Sequence, residues 1–377
     1  MVEKHLHIIS FDVPFPANYG GVIDVFYKIK SLHKHGIKIH LHCFEYGRKK
    51  AEELNKYCYK VNYYKRHTGF AKQLSTTPYI IRSRTNIELI NNLLRDQYPI
   101  FCEGMHSCSI VTNPKFKERK IIYRAANVEH HYYNGLANSE KNIFKKLYFK
   151  LEASKLLKWE EQLSSTDIIL SISKTDQKHY QQIFPNKKVE NIFAYFQQDE
   201  NLIPNFENTE KYILFHGNLS VHENNETALY ITNELSQKTN NKFIIAGKNP
   251  GSELTNKCNS TNNVNIIANP TNKEMYSLIQ KAHINLLLTN QPTGLKLKLL
   301  NSLYSGKHCL VNNNMLSGSD LQNIVDIGNT TTELLHSITI LMQKEFTLQN
   351  YEERKKQIPK EFDNDYKSKK IIKLLGY

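Results

Sequence analysis

Short apolar runs of strand length alternate with amphipathic, helix-length segments from one end of the chain to the other, and this rhythm restricts the fold more than any other feature. The runs include LHIISF (6–11), IKIHLHCF (37–44), IIYRA (121–125), IILSIS (168–173), YILFHG (212–217), FIIAG (243–247), VNIIA (264–268), INLLLT (284–289) and CLVN (309–312). Between them lie segments such as GVIDVFYKIKSLHKHG (21–36) and NETALYITNELSQKT (225–239). Strand and helix in alternation predict parallel sheets covered by helices on both faces. The rhythm restarts near 211, after the polar stretch QQDENLIPNFENTE (197–210). The expected organisation is a first α/β domain over 1–196, a linker over 197–210 and a second α/β domain over 211–360. A last helix over 361–377 is expected to pack back on the first domain. Two doubly wound domains facing across a cleft follow, with ligands at the carboxyl ends of the strands.

At 377 residues, 40% of them apolar and 11% aromatic, the chain can fill two cores. Its longest apolar runs, such as INLLL (284–288), are too short to cross a bilayer. The stretch MVEKHLHIISF lacks the apolar core of a signal peptide, so a cytoplasmic protein is expected. The six cysteines form no CxxC pair and no zinc spacing, which fits free thiols in a reducing compartment. The net charge of +14 is uneven. Residues 1–150 hold 25 Lys+Arg against 12 Asp+Glu, whereas residues 201–350 hold 11 of each. A basic first half suits a phosphate-bearing substrate, an anionic membrane surface or nucleic acid, or else is an ordinary solvated surface. The segment SEKNIFKKLYFKLEASKLLKWEEQL (139–163) is expected to be one long helix with an apolar stripe of Ile143, Leu147 and Leu151. It reads as an ordinary surface helix whose lysine stems cover neighbouring apolar area, rather than as one lying on a membrane.

Four loops after strand-like runs carry residue types suited to anions. FPANYGG (15–21) sets Gly20 and Gly21 at a helix start, where bare backbone N–H groups reach a ligand. HGNLSVHEN (216–224) offers Gly217, Asn218 and Ser220 as donors, and AGKNPG (246–251) offers Lys248. PTGLKLKLLNSLYSGK (292–307) reads as a helix from about Leu295 to Ser305, with Lys296 and Lys298 in its first turn. Cations are disfavoured at that end of a helix dipole. A docked diphosphate would reverse the penalty and occupy both ammonium groups. Helical angles place Lys296 on the face of Leu299, Leu300 and Leu303, and Lys298 on the face of Asn301.

These segments resemble, over nearly the whole chain, the GT-B glycosyltransferases, in particular family 4-like bacterial enzymes with a TGxKxKLL segment. PANYGGVIDVFYKIKSLHKHGIKIHLHCF is similar to that family's glycine loop, helix and second strand. RAANVEHHYY (124–133) stands where its cleft histidine lies, HGNLSVHENN and AGKNP match two donor-domain loops, and GLKLKLLNSLYSGK matches the donor-phosphate helix. The resemblance implies two Rossmann-like domains, a nucleotide-sugar donor held mainly by the second, and an acceptor held by the first. The chain also departs from the pattern. The family's Arg and Lys after the second-loop glycine correspond to Asn218 and Glu223. Its two glutamates correspond to Gln291 and Asn301, and its cleft histidine to Ala126, with Asn127, Glu129, His130 and His131 nearby.

The expected activity is transfer of a hexose from a UDP- or GDP-linked sugar to a saccharide or lipid-linked acceptor, in surface polysaccharide synthesis. Retention of the anomeric configuration is implied by the resemblance. The cytoplasm, at the inner face of the membrane, is the expected place. Lys296, Lys298 and Lys248 would hold the diphosphate. Gly217, Asn218, Thr293, Gly294, Gln291 and Asn301 would complete the donor site, Gly20 and Gly21 would face the phosphates, and Glu129 and His130 are the candidate catalytic pair. No DxD motif stands on a loop, and DND (363–365) lies in a polar tail, so no metal and no separate cofactor is expected. Two rivals share the architecture: a sugar-nucleotide epimerase and a catalytically inactive nucleotide-sugar-binding relative. A nicotinamide oxidoreductase would need GxGxxG, which is missing. The interleaved aromatic and basic signatures of RNA binding are missing too, so no nucleic-acid partner is expected.

Overall fold

The computed structural model describes residues 3–69, 75–199, 202–291 and 296–377. The chain divides into two compact units, one of residues 1–195 with 361–377 and one of residues 196–360.

The first unit is built on seven parallel strands: β1 (Lys4–Ser10), β2 (Ile37–Glu45), β3 (Lys60–Lys65), β4 (Ile100–Glu103), β5 (Ile121–Ala125), β6 (Ile168–Ser171) and β7 (Lys188–Asn191). Their order is β3-β2-β1-β4-β5-β6-β7. The sequence reverses direction across the sheet between β1 and β4, which makes that edge the topological switch point. The helices are α1 (Gly20–Lys34), α2 (Tyr79–Arg82), α3 (Ile87–Leu93), α4 (Glu129–Ser139), α5 (Ile143–Glu160) and α6 (Lys174–Ile183). One core packs Ile9, Ile100, Cys102, Ile121, Tyr123 and Ile169 against helices on one face. The other packs Leu6, Ile8, Leu41, Phe101, Ile122 and Leu170 on the opposite face. Central strands are therefore apolar on both sides, as a parallel sheet requires.

The segment 139–163 is two helices rather than one. Helix α4 stops at Ser139, and Asn142 caps α5 by accepting hydrogen bonds from Phe144 N at 3.0 Å and Lys145 N at 3.1 Å. An asparagine competes with the helix for backbone donors, and here it wins at a new amino end.

Two polar networks run through this unit. Along β1 and β2, four histidines pair side by side: His5 Nδ1 lies 2.9 Å from His40 Nε2, and His7 Nδ1 lies 2.9 Å from His42 Nε2. Asp96 closes one end, 2.9 Å from His7 Nε2, and the Tyr64 hydroxyl closes the other, 2.8 Å from His42 Nδ1. On the other face, the buried Lys28 ammonium donates to Glu103 at 2.6 and 2.8 Å. Nearby, Asp24 faces Arg124 at 3.3 Å and accepts from Tyr195 N at 2.7 Å. The last helix of the chain, α13 (Asn364–Leu375), completes this network, because its buried Lys367 donates to Ala194 O at 2.9 Å. Ser368 Oγ, also on α13, lies 2.8 Å from Ser31 Oγ of α1.

The second unit has six parallel strands: β8 (Ile213–Asn218), β9 (Phe243–Lys248), β10 (Val264–Ala268), β11 (Ile284–Leu287), β12 (His308–Val311) and β13 (Asp326–Ile327). Their order is β10-β9-β8-β11-β12-β13, again reversing at the first strand. Helices α7 (His222–Tyr230), α8 (Ser252–Asn259), α9 (Asn272–Lys281), α10 (Leu297–Ser305), α11 (Thr331–Gln343) and α12 (Leu348–Gln357) cover it. All six cysteines are unpaired. Among the described residues no helix is long and apolar enough to cross a membrane.

Candidate functional site

In the second unit the switch point falls between β8 and β11, and the loops after β8, β9 and β11 meet there. Gly217 of β8 pairs in register with Gly247 of β9, and Asn218 with Lys248. The two strands approach so closely that a Cβ on Gly247 would lie 1.9 Å from Gly217 O, so no side chain fits. Asn218 turns its side-chain oxygen onto its own loop, accepting from Ser220 N at 3.2 Å and Ser220 Oγ at 2.8 Å. Beyond Lys248, Asn249 takes a positive φ of 48° and donates its N–H to Asn269 Oδ1 at 2.8 Å.

Glu223, in the first turn of α7, organises the third loop. Its Oε1 accepts from Thr289 Oγ1, from Asn290 N at 2.8 Å and from Gln291 N at 3.2 Å. Burial pushes its carboxyl up, but these hydrogen bonds and the Lys296 charge more than offset that, and its pKa is lowered overall. The position where the resembling family carries a lysine thus holds a loop anchor of opposite charge. Gln291 is exposed and bound through its backbone, while Thr293 and Gly294 lie outside the described residues.

Helix α10 begins at Leu297, two residues later than the periodicity suggests. Lys296 is its N-cap, in an extended conformation with φ −88° and ψ 104°. Lys296 therefore stands outside the helix, and the expected stripe with Leu299, Leu300 and Leu303 does not include it. Lys298, rather than Lys296, is the one driven inward. Its ammonium donates to Leu288 O at 3.2 Å and sits 5.4 Å from the centroid of the Phe215 ring. Burial lowers its pKa to about 8, with Lys296 adding to the effect and Glu223 opposing it. Burial also lowers the pKa of Lys296, again against Glu223. Behind Lys298, burial and the lysine charge hold His216 neutral, with a pKa lowered to about 3. The Nε2 of His216 and the Oδ1 of Asn301 are buried with no hydrogen-bond partner among the described residues. Buried polar atoms are normally satisfied. Two orphans beside two desolvated ammonium groups at a helix amino end describe a site built for an anionic, hydrogen-bonding ligand.

The first unit holds the remaining candidates. Gly20 and Gly21 open α1 after the loop from β1, and a Cβ on Gly21 would press to 2.7 Å from the Phe11 ring. Arg84 ties that loop down, donating to Phe11 O at 2.9 Å. Glu129 opens α4 and is 2% exposed, and burial raises its pKa to about 7 against the opposing charge of Arg84. His106 stands 4.0 Å from it, with a buried Nδ1 lacking a partner among the described residues and a pKa pushed well down by burial and by Arg84. His106 was not found by sequence reasoning. It follows β4, and GMHSC directly after IFCE is the sequence signal for it. His130 points elsewhere, its Nδ1 3.0 Å from Glu160 Oε2.

No family model matches the sequence. A relative in Klebsiella pneumoniae, an uncharacterized 44.6 kDa protein of the cps region, is 26% identical over 315 residues, which is 78% of this chain and 79% of that protein. Among solved structures, Anabaena HepE in complex with UDP and glucose is similar with TM-score 0.66 and 11% identity, covering 99% of each chain. Sucrose-phosphate synthase from Thermosynechococcus elongatus is similar with TM-score 0.67 and 11% identity, covering 98% of each. The fold is that of the GT-B glycosyltransferases.

Proposed function

We propose that the chain is a glycosyltransferase that moves a hexose from a nucleotide-diphosphate sugar, with retention, to a saccharide or lipid-linked acceptor in surface polysaccharide synthesis. The observation that carries this reading is the pair Lys296 and Lys298 at the amino end of α10, desolvated and set beside the unpartnered His216 and Asn301. The expulsion of a nucleoside diphosphate builds negative charge on the leaving oxygen. Two fixed ammonium groups and a helix amino end stabilise that charge without a metal. Lys248, Gly217, Asn218, Gln291, Thr293 and Gly294 complete the donor pocket, with the Asn301 and Gln291 amides on ribose or sugar hydroxyls. Glu129, whose raised pKa suits proton exchange near neutral pH, is the first-unit group placed on the sugar or acceptor. The UDP and glucose bound by HepE and the cps location of the Klebsiella relative support the donor class and the pathway.

The test is a thermal-shift and calorimetric panel of UDP, GDP and their sugars, since a ligand that binds only the native state raises the melting temperature. The lowered pKa adds a signature. Lys298 loses its proton through pH 8 rather than 10.5, so affinity for the nucleoside diphosphate is expected to be about tenfold weaker at pH 9 than at pH 7. Binding at pH 8 should also take up protons from the buffer. No response to any nucleoside diphosphate would end this reading.

The acceptor side of the proposal places the first unit on an anionic membrane. Helix α5 presents Ile143, Phe144, Leu147 and Leu151, each between 55% and 80% exposed, with Lys145 and Lys150 exposed on the same helix. An apolar stripe edged by lysines suits an anionic lipid surface. Sedimentation with phosphatidylglycerol vesicles should carry the protein down, phosphatidylcholine vesicles should not, and Phe144→Asp with Leu147→Asp should weaken the binding at least tenfold.

A further inference from the structure

A second cluster of chemistry-bearing groups lies within the first unit. Glu160, at the carboxyl end of α5, is 2% exposed. Its Oε2 lies 3.0 Å from His130 Nδ1 of α4, and its Oε1 lies 2.7 Å from His179 Nε2 of α6. Among the described residues its ion-pair partners are those two histidines alone, and no Lys or Arg faces it. A buried carboxylate with no Lys or Arg beside it is costly to keep charged, and a bound cation would offset that cost. A third ring, that of the exposed His131, stands 4.2 Å from His130 and 5.1 Å from His179 between centroids.

We propose that His130, Glu160 and His179 form a binding site for a divalent first-row transition ion, best met by zinc. The three ligand atoms lie within 4.8 Å of one another. Imidazole nitrogen and carboxylate oxygen bind zinc at about 2.0–2.2 Å, which in a tetrahedron sets neighbouring ligand atoms about 3.3 Å apart. The observed separations of 2.7 and 3.0 Å, one to each Glu160 oxygen, need to open by about half an ångström or less, and the two imidazole nitrogens, within 4.8 Å of each other, need to settle to the same spacing. The ion would replace the two hydrogen bonds, each neutral ring keeping its proton on the nitrogen turned away, and would leave a fourth position for water. Imidazole and carboxylate donors suit zinc better than magnesium or calcium, which favour all-oxygen sets. Three ligands from α4, α5 and α6 make the ion a clamp joining three helices, and it takes no part in sugar transfer. One of those ligands is adjacent in sequence to Glu129, so the clamp also fixes the amino end of α4.

The full chain, stripped with a chelator and titrated with zinc chloride against a chromophoric competitor, should bind one ion per chain with a micromolar or tighter Kd. Saturating zinc should raise the melting temperature. His179→Ala, at a half-buried position on the outside of α6, should weaken binding at least 100-fold and abolish the thermal shift, and Glu160→Gln should do the same. His40→Ala, in the separate histidine ladder, should leave both unchanged. X-ray absorption of the zinc-loaded protein should show two imidazoles and one carboxylate. Absence of a binding event in the wild type, or binding equally tight in His179→Ala, would overturn the assignment, as would loss on His40→Ala alone.

Discussion

Replacing Lys298 by alanine is expected to weaken nucleoside diphosphate binding by about 100-fold or more while leaving the unliganded protein intact. The ammonium of this half-buried side chain sits between Leu288 O, 3.2 Å away, and the Phe215 ring. A charged contact to phosphate lost from such a site costs about 2–5 kcal/mol. The same burial that makes the contact strong makes the free lysine expensive, as its depressed pKa records. Its removal should therefore hold or raise the melting temperature of the apoprotein, which separates a lost binding group from a damaged fold. Lys296→Ala, at the more open N-cap, should cost less, about tenfold. Lys298→Arg should not rescue, because a planar guanidinium cannot fill a slot shaped for a compact ammonium. Titration calorimetry with UDP and GDP on the three variants checks these values. Unchanged affinity in Lys298→Ala would remove the basis of the proposed donor site.

The second large effect concerns acid. His7, His40 and His42 of the β1–β2 ladder are held neutral. Burial lowers His7 against the pull of Asp96, lowers His40 to about 4 with help from His7 and His5, and lowers His42 well below the usual imidazole range with help from His7 and His40. Lys60 adds to the shift of His40 and His42, and Arg119 to that of His7 and His42. In the unfolded chain the same rings titrate near 6.5, so between pH 6.5 and 4 the unfolded state binds more protons. Their contribution is complete above pH 6.5 and drains away as pH falls. His40, only half-buried, should alone remove roughly 1–2 kcal/mol between pH 7.5 and 4 once solvent screening is allowed for. Trp159, the only tryptophan, packs against the core of this unit. Its fluorescence in urea titrations therefore follows the unit that holds the ladder. A flat stability between those two pH values would contradict the account, and His40→Gln should flatten the slope by its own share.

The alternation of strand and helix made the α/β class readable because buried parallel strands carry continuous apolar runs. The strands that escaped notice were those for which this reason fails. Lys60–Lys65 and Lys188–Asn191 are sheet edges with polar residues, and Asp326–Ile327 has two residues; Ile100–Glu103 is the exception, a buried strand as long as β6, β11 and β12. The site followed the same logic. The two lysines and the glycine pairs could be picked from local sequence, because their chemistry is at odds with their place in a helix or turn. Which lysine turns inward could not, since Lys296 falls outside α10 as its extended N-cap and Lys298 is drawn to Leu288 O and the Phe215 ring, contacts that only the tertiary fold supplies. Glu223 as a loop anchor, His216 beneath Lys298 and His106 beside Glu129 all depend on contacts between segments distant in the chain. So does the histidine ladder. The alternation of His5 with His7 and of His40 with His42 shows in the sequence, but their pairing needs the register of β1 on β2.

Helix α13 belongs to the unit that the chain starts, although the whole of residues 196–360 is made in between. A ribosome therefore makes the whole of the second unit while the first still lacks Lys367 and Ser368, the partners that close over Ala194 and Ser31. The half begun earlier must wait, with its charged interior unsealed, until residues beyond the other half have been added.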